Sequence, residues 1–170
     1  MVLLLGAGLS QAADGDGKKL RWKLKPGDLP PDFVGKTIGG DELRLAAFSG
    51  KAVVVSYWAT WCPYCLQELP VLNNIQRLAG SDKLAVLAVN VEDRDTFRKA
   101  RRALSSVLDV HMGFDPTQQG REGYGVNGLP YMVIIGRDGR IVRAWAGYSE
   151  DSLDNIVADI NQAMAEPQAR

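Results

Sequence analysis

The chain of 170 residues is poor in the side chains that most often bind metals or build cross-links: it has two cysteines and one histidine. A structural zinc site takes four ligands, and Cys62, Cys65 and His111 supply three at most. There is no excess of charge of either sign, with 20 basic against 20 acidic residues. A nucleic-acid binder normally carries a basic surplus, so no nucleic-acid partner is expected. No apolar run is long enough to cross a bilayer, which takes about 20 residues; the longest near the start covers 2–9. No Lys or Arg precedes that run, and no cysteine follows it that could carry a lipid. There is no internal repeat and no low-complexity tract.

What is present at the start is an apolar run followed by the small residues Ser10, Ala12 and Ala13, then polar residues from Asp14 onward. This is the apolar segment and cleavage-site pattern of a secretory signal without its basic start. Residues 1–13 are therefore expected to be a signal peptide and 14–25 a linker. A single domain is expected over 26–166, with 167–170 as a frayed tail. Export, to the periplasm or an equivalent compartment, would place the thiols under oxidising conditions.

Within the domain, 26–51 is broken by Pro and Gly and is expected to be irregular or to form a small hairpin around Gly39 and Gly40. "AVVVSYWA" (52–59) and "KLAVLAVNV" (83–91) are short β-branched runs of the kind buried on both faces in parallel sheets. Between them, Leu66, Leu69, Leu72, Ile75 and Leu78 recur at three-residue steps, which predicts a helix starting at Pro63 and kinked at Pro70. A helix is predicted over 93–108 and a short strand over 110–115. A hairpin over 130–148 should turn at 137–140, where Asp-Gly favours positive φ. A last helix over 149–166 should be capped by Ser149. This order implies a mixed sheet with helices on both faces.

The two cysteines lie three positions apart in "WCPYC" (61–65). A disulfide over so short a loop constrains little of the unfolded chain, which argues against a staple. Cys62 falls between a buried strand and a helix, where unpaired N–H groups and the helix dipole favour a thiolate, so its pKa should fall below the usual value of about 8.5. Cys65, one turn on, could resolve a mixed disulfide at Cys62. The pair therefore reads as a redox couple, needing no cofactor beyond its own disulfide. His111 reads as an ordinary side chain, and "RKARR" (98–102) as a solvated helix face.

The segments "GKAVVVSYWATWCPYCLQELP" (50–70) and "YGVNGLPYMVIIGRDGRIVRAWAGY" (124–148), with "PPDF" (30–33), resemble the thioredoxin superfamily, specifically its exported TlpA-like (ResA-like) branch. The resemblance covers about 26–165. It implies a thioredoxin-like α/β fold with an N-terminal extension. It also implies a cis bond between Leu129 and Pro130 facing the cysteines, with Leu129 offering its backbone to an extended substrate. Glu68 matches the family's glutamate after the motif and could raise thiol pKa values or relay a proton; a solvated helix glutamate is the alternative. Thioredoxin carries a buried aspartate where this chain has Ser56, which moves acid–base duty to Glu68 or water. Trp58 is expected in the core, and Trp61, Pro63 and Tyr64 around the site as a docking rim.

The function implied is a thiol–disulfide oxidoreductase acting on cysteine pairs of exported proteins, a monomer fed by a membrane electron donor. Relatives in that branch mostly act as reductants, including for apocytochrome c. Rival readings are a disulfide oxidase or isomerase, and a copper chaperone of the same fold, although such chaperones usually space their cysteines by three residues. "CPYC" also occurs in glutaredoxins, but their glutathione-binding Gly-Gly-Asp pattern is missing here. A peroxiredoxin would need a proline-led context that "YWATW" does not provide.

Overall fold

The structure is a computed structural model that describes residues 24–167. The expected signal segment 1–13, linker residues 14–23 and tail residues 168–170 lie outside the described residues. The Pro- and Gly-broken lead-in forms a hairpin of β1 (Phe33–Lys36) and β2 (Glu42–Arg44). Its turn depends on Gly40, whose φ of +101° suits a residue without a Cβ.

The two apolar runs form β3 (Ala52–Trp58) and β4 (Leu84–Asn90), parallel and in register from Ala52 opposite Leu84 to Trp58 opposite Asn90. Helix α1 (Pro63–Ala79) makes the crossover between them. Helix α2 (Arg94–Leu104) leads to β5 (His111–Phe114), parallel to β4. A short helix α3 (Gln119–Gly123) precedes the hairpin of β6 (Tyr131–Ile135) and β7 (Ile141–Ala146), and α4 (Leu153–Ala165) closes the fold. The sheet is mixed, with seven strands among the described residues in the order β2-β1-β5-β4-β3-β6-β7.

Alternation along the central strands splits the core in two. Val54, Val86, Met132 and Ile134 face Leu72 of α1 and Ile156, Ile160 and Ala163 of α4. Val53, Val55, Tyr57, Leu87 and Val133 face the other way, against Phe48, Tyr124 and Val126. Each fully buried aliphatic side chain contributes about 1.5–3 kcal/mol, so these two layers dominate the stability.

Three expectations need correction. The three-residue leucine steps drift off the helix face, because the true repeat is 3.6: Leu66 and Leu78 are exposed. The buried stripe is instead Cys65, Glu68, Leu69, Leu72, Asn73 and Gln76. The helix expected over 93–108 stops at Leu104. Beyond it, Asp109 is committed to α1, its N–H donating to Asn73 Oδ1 at 2.7 Å and its carbonyl accepting from Gln76 Nε2. The last helix begins as a 3-10 turn, Glu150–Ser152, in which the Ser152 hydroxyl accepts the Ser149 N–H at 3.3 Å and donates to the Ser149 carbonyl at 2.6 Å.

Candidate active site

The buried strand β3 ends at Trp58, which has no solvent exposure. Four residues later the chain enters α1 with Cys62 at the N-cap and Pro63 at the first helical position, where a missing N–H costs nothing. Cys62 and Cys65 are joined as a disulfide, with Cα atoms 5.3 Å apart. The Cys65 N–H donates to Cys62 Sγ at 3.2 Å, so a first-turn amide is already aimed at this sulfur.

The pair is sheltered but borders the surface. Cys62 is 4% exposed and Cys65 not at all, while Trp61 and Tyr64 are 68% and 58% exposed. Behind the sulfurs lies an apolar cluster of Trp58, Ala59, Leu69, Ala88 and Leu108, with Leu129 and Met112 packed against it. The Leu129–Pro130 peptide is cis, and Pro130 is buried. The structure thus brings Leu129 against the cluster that contains the cysteines, across 63 intervening positions of sequence from Cys65.

Glu68 is not a solvated helix residue. It is 1% exposed, points inward from the buried stripe of α1, and accepts a hydrogen bond from Ser56 Oγ at 2.6 Å through Oε1. Its Oε2 is buried with no hydrogen-bond partner among the described residues. Burial raises its pKa to about 7, against the lowering effect of the Ser56 bond. The serine that replaces the expected strand carboxylate therefore contacts a carboxyl arriving from the facing helix. Tyr148 lies close enough that Glu68, after burial and Glu150, helps push its phenol pKa up.

Other candidates fall elsewhere. His111 sits on β5 with its ring edge against Phe48, 4.8 Å between centroids, away from the disulfide cluster. Its pKa is lowered, first by burial and then by Lys51. Arg98, Lys99, Arg101 and Arg102 are exposed along α2.

Sequence reasoning passed over Glu92. Its carboxylate accepts from the Thr60 N–H at 2.6 Å and from Thr60 Oγ1 at 2.9 Å. Asn90 holds it in turn, through Nδ2 to the carboxylate and Oδ1 to the Glu92 N–H. The available signal was two polar residues, Asn90 and Glu92, at the end of an otherwise apolar strand.

The comparisons with known proteins place the chain in a family. The Redoxin family model matches residues 25–162. The chain belongs to this family. It is a thioredoxin-superfamily protein of the TlpA/ResA type and an oxidoreductase. It is 34% identical over 119 residues to the thioredoxin-like protein YneN of Bacillus subtilis, covering 69% of each chain. It is 30% identical over 122 residues to the thiol-disulfide oxidoreductase ResA of Geobacillus thermodenitrificans, covering 71% of this chain and 69% of that one. Among solved structures, one from Chlorobium tepidum described as a thiol:disulfide interchange protein DsbE superposes with a TM-score of 0.75 at 28% identity, over 84% of this redoxin and all of that chain.

Proposed function

We propose that this redoxin is an exported thiol–disulfide oxidoreductase that reduces cysteine pairs in other exported proteins, with apocytochrome c among the substrate class. The observation that carries the reading is the disulfide at the N-terminus of α1, with Cys62 at the surface side, Cys65 beneath it, and the buried Glu68 carboxyl on the same stripe.

In the reducing direction, the Cys62 thiolate attacks one sulfur of a substrate disulfide. A mixed disulfide forms, and the first substrate sulfur leaves as a thiolate. The Cys65 thiolate then attacks Cys62 Sγ, and the second substrate sulfur leaves. Two electrons pass to the substrate and the Cys62–Cys65 disulfide is formed. A dithiol donor, proposed to be a membrane protein, restores the dithiol by the same exchange in reverse. The Cys65 N–H that reaches Cys62 Sγ would stabilise the attacking thiolate. Cys65 must lose a proton beside an apolar cluster. Glu68, with a pKa near neutrality and a free oxygen, is suited to accept it.

Trp61, Pro63 and Tyr64 would form the docking rim, and Leu129 beside Pro130 would pair its backbone with an extended substrate chain. The apolar start of the sequence and the exported character of this branch support localisation in the periplasm or its equivalent.

The test is the reduction potential of the couple, measured by equilibration in thiol buffers with tryptophan fluorescence. A value of about −250 mV or lower, near that of thioredoxin, is expected of a reductant. A value of about −180 mV or higher would make the protein an oxidase or isomerase instead.

A further inference from the structure

We propose that Glu92 is a positioning residue for disulfide exchange: its carboxylate holds Thr60 so that Trp61 and Cys62 stay presented to a protein substrate. The inference rests on the exchange reading above.

Between β3 and α1, Ala59 and Cys62 are buried in the apolar cluster, but the two residues between them are not. Thr60 is half-buried and Trp61 is 68% exposed, so the indole cannot be held in place by burial. The backbone must hold it, and the end of β4 supplies the hold. The Val91 N–H donates to the Trp58 carbonyl at 3.0 Å. One residue on, Glu92 takes both the Thr60 N–H, at 2.6 Å, and the Thr60 hydroxyl, at 2.9 Å, on its two carboxylate oxygens. Hydrogen bonds to an ionised acceptor are about twice as strong as neutral ones. The clamp is itself braced: Asn90 is fully buried, donates from Nδ2 to Glu92 Oε2 at 3.1 Å and accepts the Glu92 N–H at 2.8 Å. A rigid strand end therefore reaches across to the residue two before Cys62.

The need for such a clamp changes during the cycle. In the oxidised form the Cys62–Cys65 bond ties Cys62 to the helix. In the dithiol form that covalent tie is gone, leaving hydrogen bonds: the Cys62 N–H on the Ala59 carbonyl at 3.2 Å, the Leu66 N–H on the Cys62 carbonyl at 3.2 Å, and the Cys65 N–H on the Cys62 sulfur. Glu92 contacts neither sulfur through any hydrogen bond; it acts through Thr60. Its loss should therefore affect a large substrate that must dock on Trp61 more than a small disulfide that needs only the thiolate.

The experiment compares wild type, Glu92→Ala and Glu92→Gln in the dithiol form, each against insulin and against a small aromatic disulfide. Glu92→Ala is expected to lose about tenfold or more in kcat/KM toward insulin, because misplaced reacting groups cost rate steeply. Its rate with the small disulfide should stay within about twofold of wild type. Glu92→Gln should recover most of the loss, since its amide oxygen accepts the Thr60 N–H and its NH2 donates to the Thr60 hydroxyl.

An Ala variant equal to wild type on insulin would overturn the proposal. So would equal losses on both substrates, or a Gln variant no better than Ala. If Glu92→Ala does not fold, Thr60→Val removes the hydroxyl contact alone; a selective loss on insulin supports the clamp, and no loss overturns it. Wild type that is no faster than Cys62→Ser on either substrate would sink the exchange reading itself, a result distinct from any of these.

Discussion

Glu68 holds a carboxyl group inside the protein with one oxygen on Ser56 and the other without a hydrogen-bond partner among the described residues. Its pKa of about 7 lies above the ordinary value of 4.5 because burial disfavours the charge. The linkage has a definite sign. Between pH 4.5 and 7 the unfolded chain releases this proton and the folded protein keeps it, so stability falls as pH rises through that window. The stability present below pH 4.5 and lost by neutrality is on the order of 3 kcal/mol. Glu68→Gln should remove that slope, which urea melts from pH 4 to pH 8 would reveal; an unchanged slope would show that Glu68 titrates normally. The same variant should slow resolution of the mixed disulfide if Glu68 takes the Cys65 proton. At the cysteines the roles separate: Cys65→Ser should accumulate a mixed disulfide with substrate, visible on non-reducing gels, and Cys62→Ser should accumulate none.

Helix α1 serves two ends at once. Its N-terminus carries the disulfide, and its polar buried residues act as substitutes for a strand. Gln76 Oε1 accepts the Val86 N–H at 2.7 Å, at a point on β4 just before the pairing with β5 begins at Leu87. Gln76→Ala would leave that buried N–H unpaired and should cost about 1–3 kcal/mol by denaturant melts. Helix α3 packs as closely: a Cβ on Gly120 would collide with the Val34 carbonyl and come within 2.9 Å of the Tyr57 hydroxyl. Gly120→Ala should destabilise by about 1–3 kcal/mol, measured by thermal or urea unfolding, because backbone on β1 cannot move aside cheaply.

At the scale of the whole molecule, the sheet and its two apolar layers carry the stability, and the disulfide is reserved for chemistry. A cross-link over a sequence separation of three closes a minimal loop. By chain entropy it contributes about 2 kcal/mol, against about 4.7 for a 100-residue loop. Reduction should therefore leave the fold intact and lower the melting temperature by only several degrees, checked by calorimetry with and without reductant; unfolding on reduction would restore the staple reading. The C-terminal ends of β3 and β4 place Cys62, Thr60 and Glu92 together. The redox pair thus sits beside the ends of two strands that are buried along their whole length.

The central βαβ unit, the 130–148 hairpin and the redox pair were legible in the sequence because each is a local signal: β-branched runs, Asp-Gly, and two cysteines one helical turn apart beside a proline. The family resemblance added Glu68, Leu129 and Pro130 as residues to examine. Whether Glu68 faced water or core could not be read locally, since a single glutamate in a helix has no periodic signature of its own. Only the packing of α1 against Ser56 on β3 decided it. The same holds for Glu92, whose partner Thr60 lies 32 positions away, and for Asp109, whose backbone is held by the side chains of Asn73 and Gln76. Local sequence determined which segments fold as strand and helix, through propensity and spacing. Tertiary structure decided which polar groups are buried and what they hold, because burial and hydrogen bonding depend on residues far apart in the chain.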